Sequence, residues 1–141
     1  MLNKTQMNYE SMISYINNGG SIIIPITPTD YLYPMKLQFE YELGLQHDTS
    51  SMNIYHSGPC AVALNIHYDA YPVLVLQIHG QKEWMIQDDN FGSRIEDITS
   101  WKNVTMTEGD LLYIPQGVCH AATTAMGCAT TTHVTIGLVV D

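Results

Sequence analysis

From about residue 50 to the end of the chain, apolar and polar positions alternate with a period near two; before that point they do not. Between Thr5 and Asn18, apolar residues fall at Met12, Ile13, Tyr15 and Ile16, a spacing that predicts a short amphipathic helix. Asn17-Asn18-Gly19-Gly20 follows as a helix stop signal. The β-branched run from Ser21 to Ile26, closed by Pro25 and Pro28, predicts an outer strand. A second helix is expected over Pro34–Leu45, with Met35, Leu37, Phe39, Leu43 and Leu45 as its apolar positions and Gly44 near its end. Tyr31, Tyr33 and Tyr41 read as packing for this helical lead-in rather than as a binding stripe.

Beyond residue 50 the alternation predicts strands near 51–56, 61–68, 72–79, 83–87, 102–106, 110–114, 118–124 and 131–139. Turn signals separate them, among them Ser57-Gly58-Pro59, Glu108-Gly109 and Pro115-Gln116-Gly117. Many short strands punctuated this regularly indicate a mainly β fold, a jelly-roll or double-stranded β-helix carrying one or two N-terminal helices. A single domain over residues 1–141 is expected, with 1–48 as lead-in and 49–141 as the jelly-roll core.

Composition narrows the function classes. Only 13% of the residues are charged, and 14 acidic side chains stand against 5 basic ones, for a net charge of −9. So few cations form no basic stripe for nucleic acid and no polybasic patch for an anionic membrane. No apolar run approaches the roughly 20 residues of a spanning helix. MLNKTQMNYE has no apolar signal core, and Cys60, Cys119 and Cys128 form an odd set without C-x-x-C. A cytoplasmic location with free thiols is the expectation. The edges of a small jelly-roll also make a homodimer an option.

Chemistry concentrates in two segments. In N-I-H-Y-D, His67 and Asp69 lie two apart on an expected strand, so both side chains project from one face. In G-D-L-L-Y-I-P-Q-G-V-C-H, from Gly109 to His120, a strand enters a Pro-x-Gly turn and returns carrying His120. Two imidazoles and one carboxylate on one face of an ion leave cis positions open, an arrangement typical of non-haem Fe(II) oxygenases. A structural zinc site would close its fourth position with protein. The bland reading, satisfied core histidines, leaves a buried carboxylate uncompensated. Lys82, in H-G-Q-K-E-W, shares its strand face with Trp84; it is either a solvated turn residue or a buried ammonium in need of an anion.

The Gly109–His120 spacing is similar to the second cupin motif. N-I-H-Y-D-A-Y-P-V-L-V-L-Q-I-H-G-Q-K-E-W resembles the core of the cupin-type JmjC oxygenases, the group that includes the ribosomal oxygenases. The likeness runs from about residue 18 to 138, through N-I-Y at Asn53–Tyr55 and on to T-H-V-T-I-G. It implies that His67, Asp69 and His120 bind Fe(II), and that Lys82 pairs with the distal carboxylate of 2-oxoglutarate. It further implies that Asn53, Tyr55 and Thr135 line the cosubstrate pocket, that His133 stands just behind the ligands, and that O2 is the oxidant. Two positions depart from the family pattern: Tyr71-Pro72 replaces a second acidic residue, and His56-Ser57 replaces T-P.

His47, His56 and His79 are out of phase with the triad and read as surface or turn residues, while His133 is either a reserve ligand or a residue supporting the site. Trp84 reads as core, and Cys119 points away from the metal by alternation. The leading expectation is a hydroxylase of a peptide or protein side chain. A small-molecule (amino acid) hydroxylase, and a metal-dependent cupin isomerase or dioxygenase that dispenses with 2-oxoglutarate, are the alternatives.

Overall fold

The computed structural model of the protein describes residues 8–125, 127 and 130–139. Thr5–Met7 of the expected first helix, and Cys128, lie outside the described residues. The chain opens with α1 (Tyr9–Asn17), whose first turn is capped by the Asn8 side chain accepting from the Ser11 N–H at 2.8 Å. Then come β1 (Ser21–Pro25) and α2 (Tyr33–Glu42), which starts with Pro34 in its first turn.

Eight further strands follow: β2 (Ser51–Ser57), β3 (Val62–His67), β4 (Val73–His79), β5 (Lys82–Gln87), β6 (Trp101–Met106), β7 (Leu111–Ile114), β8 (His120–Thr124) and β9 (Thr131–Gly137). A 3-10 turn, Ile95–Asp97, precedes β6. The strands form two antiparallel sheets, ordered β1-β2-β9-β4-β7 and β3-β8-β5-β6. Every expected strand is present, and the lead-in strand β1 lies at the edge of the larger sheet, where a run ending in proline can sit. The architecture is mainly β, a double-stranded β-helix preceded by two helices.

The sheets meet through a core in which Val73, Val75 and Ile114 of one face Trp84, Met106 and Ala122 of the other. A second cluster, Met52, Val134 and Ile136 with Phe39 of α2, covers the outer side of the larger sheet. That cover explains why β9 is buried on both faces at Val134, Thr135 and Ile136.

The lead-in differs from expectation in what it buries. Met35 and Leu43 of the α2 region are 42% and 45% exposed, whereas Lys36 and Glu40 are 3% and 1% exposed. The pair survives burial because its charges are matched and bonded. Lys36 Nζ lies 3.1 Å from Glu40 and 2.6 Å from Asp48, and Glu40 accepts from the Ser50 N–H, the Ser50 hydroxyl and the Asp48 N–H. Nor do the tyrosines pack the lead-in as a group: Tyr31 and Tyr41 are 96% and 79% exposed, and Tyr33 instead lies under the Lys36 ammonium.

Candidate metal centre

His67 ends β3 and His120 begins β8, and the two are register partners across the sheet. Their rings approach to 4.4 Å between centroids. Asp69 follows two residues after His67, just beyond the strand, and its Oδ2 lies 3.8 Å from His67 Nε2 and 3.4 Å from His120 Nε2. These separations exceed the usual hydrogen-bond range of roughly 2.7–3.2 Å. The three candidate ligand atoms nevertheless all lie within 4.8 Å of one another, close enough to share one ion.

Backbone carbonyls set the ring orientation. His67 Nδ1 meets the Asn65 carbonyl at 2.6 Å, and His120 Nδ1 meets that of Val118 at 2.9 Å. Each Nδ1 therefore carries the hydrogen and each Nε2 turns its lone pair toward Asp69, as metal-binding histidines require. Burial holds His120 below its ordinary pKa, so the imidazole stays in the neutral form that can donate to a metal. Two neutral imidazoles and a carboxylate are a donor set suited to a divalent cation.

The three side chains open onto a cavity of about 400 Å³, its mouth included, between the two sheets. Asn53, Tyr55 and Thr135 line it, as do Trp84 and, nearer the ends of β2 and β9, Ser51 and Gly137. Burial raises the Tyr55 pKa and keeps the phenol protonated. Sequence reading missed Ser51 and Gly137; parity along β2 and β9 was the available signal, since they stand two residues from Asn53 and Thr135.

Lys82 and His133 are not among the residues lining the cavity. Lys82 is 0% exposed, so it is no solvated turn residue. No carboxylate pairs with it among the described residues; its Nζ bonds instead to the Ser57 hydroxyl at 3.2 Å and to His133 Nδ1 at 2.9 Å. Burial lowers the Lys82 pKa to about 7. His133 is also 0% exposed and stacks on Tyr55 at 4.7 Å with its ring nearly parallel. Burial, followed by the neighbouring Lys82, holds its pKa far below the ordinary value. His133 thus lies outside the group of three ligand atoms. Its Nε2 and the Trp84 Nε1 are buried without a hydrogen-bond partner.

The remaining candidates are elsewhere. His47 is exposed, and His79 faces Glu108 at 3.4 Å on the surface. His56 is half-buried on β2 and bonds to the Thr132 hydroxyl at 2.8 Å. Cys119 is 3% exposed, and burial raises its thiol pKa, which leaves it unreactive.

The JmjC domain family matches residues 35–140 of the chain. Ribosomal oxygenase 2 of Bos taurus is 36% identical over 92 residues, covering 60% of this chain and 20% of that protein. The bifunctional lysine-specific demethylase and histidyl-hydroxylase NO66 of Culex quinquefasciatus is 30% identical over 123 residues, 77% of this chain and 18% of that protein. The chain therefore spans about a fifth of the length of the curated relatives it matches. Among solved structures, YcfD, a ribosomal oxygenase from Escherichia coli, aligns with a TM-score of 0.51 at 23% identity, over 64% of this chain and 23% of that chain. A cupin superfamily protein from Desulfitobacterium hafniense aligns with a TM-score of 0.53 at 12% identity, over 85% of this chain and 78% of that chain. The likeness to these structures is one of fold.

Proposed function

Because the chain belongs to the JmjC domain family, we propose that it is a 2-oxoglutarate-dependent oxygenase in which His67, Asp69 and His120 hold Fe(II). Its reaction is hydroxylation of a C–H bond, with a peptide or protein side chain as substrate and the cytoplasm as its setting. One observation carries the reading: a cluster of two imidazoles and a carboxylate shares the inter-sheet space with a buried ammonium that has no carboxylate partner among the described residues.

The residues around that ammonium fit a carboxylate. When Lys82 is charged its ammonium donates to His133 Nδ1, which puts the His133 hydrogen on Nε2, so Nε2 and Trp84 Nε1 are then both buried donors without acceptors. Each unmet donor costs about 1–3 kcal/mol, and an anion reaching this point would offset part of that cost.

When bound, iron supplies O2 activation driven by conversion of 2-oxoglutarate to succinate and CO2. The chain supplies position. Asp69 contributes the single negative charge that partly balances a divalent ion, and the two carbonyl-anchored imidazoles fix its remaining protein ligands. Asn53, Tyr55 and Thr135 present amide and hydroxyl groups along one wall to orient the cosubstrate, and Trp84 closes the floor against water. Lys82 grips the far carboxylate as a point charge, for which His133 must yield its bond to Nζ.

Anaerobic titration of the Fe(II)-loaded chain with 2-oxoglutarate tests this reading through the visible charge-transfer band of the chelate. The band should appear in the parent and be lost in His120→Ala and Asp69→Ala while the β-rich circular dichroism persists. O2-dependent succinate formation, stimulated by peptides or by free amino acids, then separates the two substrate classes. A metal-bound chain that gives no band would leave the cupin chemistry that does without 2-oxoglutarate.

A further inference from the structure

Lys82 is sealed between the sheets, so its ammonium needs a route for any proton it gains or loses. Among the described residues two groups bond to its Nζ: His133 Nδ1 and the Ser57 hydroxyl. The His133 branch is closed, because the far ring nitrogen is buried without a partner. The Ser57 branch continues. Ser57, at the end of β2, is 0% exposed, and its register partner Ser21 on the edge strand β1 donates its hydroxyl hydrogen to Ser57 Oγ at 2.9 Å. Ser21 is only half-buried, and neither serine lines the cavity.

We propose that Ser57 and Ser21 form a proton path joining the buried Lys82 amine to solvent at the β1 edge of the barrel, independent of the cavity. The transfer balances along three bonds. With Ser21 donating to Ser57 as observed, the inward run charges the amine: a proton from outside water forms an Oγ–H bond on Ser21, the original Ser21 proton passes to Ser57 Oγ, and the original Ser57 proton forms the Lys82 Nζ–H bond. An amine becomes an ammonium, a hydronium outside is consumed, and rotation of both hydroxyls resets the chain. After that rotation the reverse run discharges the ammonium.

The purpose, though not the path, rests on the function proposed above. Lys82 must be charged when a carboxylate arrives, and the depression of its pKa to about 7 makes gain and loss of that proton accessible near neutrality. With the path at the β1 edge, the charge can adjust while a ligand occupies the cavity. The titratable group in contact with Lys82 is His133 on β9, with His56 on β2 within electrostatic reach. Both are held below their ordinary pKa, chiefly by burial, so neither offers a competing acceptor.

The test is nitrogen-15 NMR of the lysine side chains in the full chain, without iron or cosubstrate, on the acid side of the Lys82 titration. Hydrogen exchange between the Lys82 ammonium and water is the readout, assigned by loss of the resonance in Lys82→Met. Ser21→Ala, which touches nothing bonded directly to Lys82, should slow exchange about tenfold or more, and Ser21→Thr should restore it. Ser57→Ala should slow it as well. Exchange at the parent rate in Ser21→Ala overturns the path whatever becomes of Ser57→Ala. Because no iron or 2-oxoglutarate is present, that result is distinct from a failure of the oxygenase reading.

Discussion

Gly117 donates its backbone N–H to the carbonyl oxygen of Asp69 at 3.0 Å. This one bond ties the Pro-x-Gly turn that leads into His120 to the loop that holds Asp69. The two motifs that carry the candidate metal ligands are thus one mechanical unit. The turn needs glycine because Gly117 sits at φ +77°, a left-handed conformation that side chains with a Cβ resist.

Gly117→Ala should therefore act through backbone alone, since an added Cβ would meet nothing within 4 Å. The expected loss is about 1–2 kcal/mol of unfolding free energy, with Gly117→Asn milder because asparagine tolerates this region. If the turn relaxes away from φ +77°, the bond to Asp69 weakens and divalent-ion affinity falls about tenfold. Urea unfolding and Co(II) titration of both variants check the two parts. Parent-like Co(II) affinity in an otherwise destabilised Gly117→Ala would show that the tie does not position Asp69.

Lys82 makes stability depend on pH in a definite direction. Its pKa is about 7 in the folded chain against 10.5 for the free side chain. Between those values the unfolded chain holds the proton and the folded chain does not, so stability rises with pH across that window. Below about 7 both states are charged, and Lys82 contributes no slope. Lys82→Met should abolish the rise and be the more stable form near neutrality, by a few kcal/mol, since it removes a buried charge without a carboxylate partner. It should also lose affinity for 2-oxoglutarate. Denaturant midpoints of the ligand-free chains over this pH range decide the first point, and a Lys82→Met midpoint that keeps the parent's slope would refute it.

The succession of strands along the chain was legible because half-buried strands write an alternation into the sequence. His67 and His120 were legible because their turn residues have few other uses. The position of Lys82 was harder to read. Its face could be deduced from Trp84, but not the fact that Ser57 and His133 enclose it away from the cavity lining. Those contacts join β2, β5 and β9, and side-chain packing across sheets leaves no period in any one strand. The helix α2 failed differently: its boundaries were readable, but its buried face is a Lys36–Glu40 pair that hydropathy assigns to solvent.

That pair gives a prediction for the lead-in. Burial alone would raise the Glu40 pKa, but hydrogen bonds from Ser50, Asp48 and Lys36 outweigh it and hold the carboxyl below its ordinary value. Its stabilising contribution is therefore complete above the ordinary carboxylate pKa and is lost as pH falls through the lower folded value. Glu40→Ala should cost about 3–5 kcal/mol, since it leaves Lys36 buried with only Asp48 to answer it. Glu40→Gln should cost less, because it keeps the shape and an acceptor oxygen. Thermal unfolding of both variants between neutral and acid pH is the measurement, with the Ala variant losing most of the parent's acid-side slope.

Gly137 poses the opposite steric problem to Gly117. Its backbone suits any residue, but a Cβ there would lie 2.6 Å from a ring carbon of Tyr71, and it would meet the Ser51 hydroxyl as well. The Ser51 hydroxyl can rotate aside, whereas Tyr71 packs against the main core cluster and cannot move without cost. Gly137→Ala should lose about 1–3 kcal/mol from overpacking. Tyr71 and Ser51 both line the cavity, so their displacement changes its shape while His67, Asp69 and His120 stay in place. Co(II) affinity should consequently match the parent while 2-oxoglutarate binding weakens. Adding Tyr71→Leu should relieve the contact and recover stability. A double variant no more stable than Gly137→Ala would place the strain elsewhere, and reduced Co(II) affinity in the single variant would mean that the ligands move with the cavity wall.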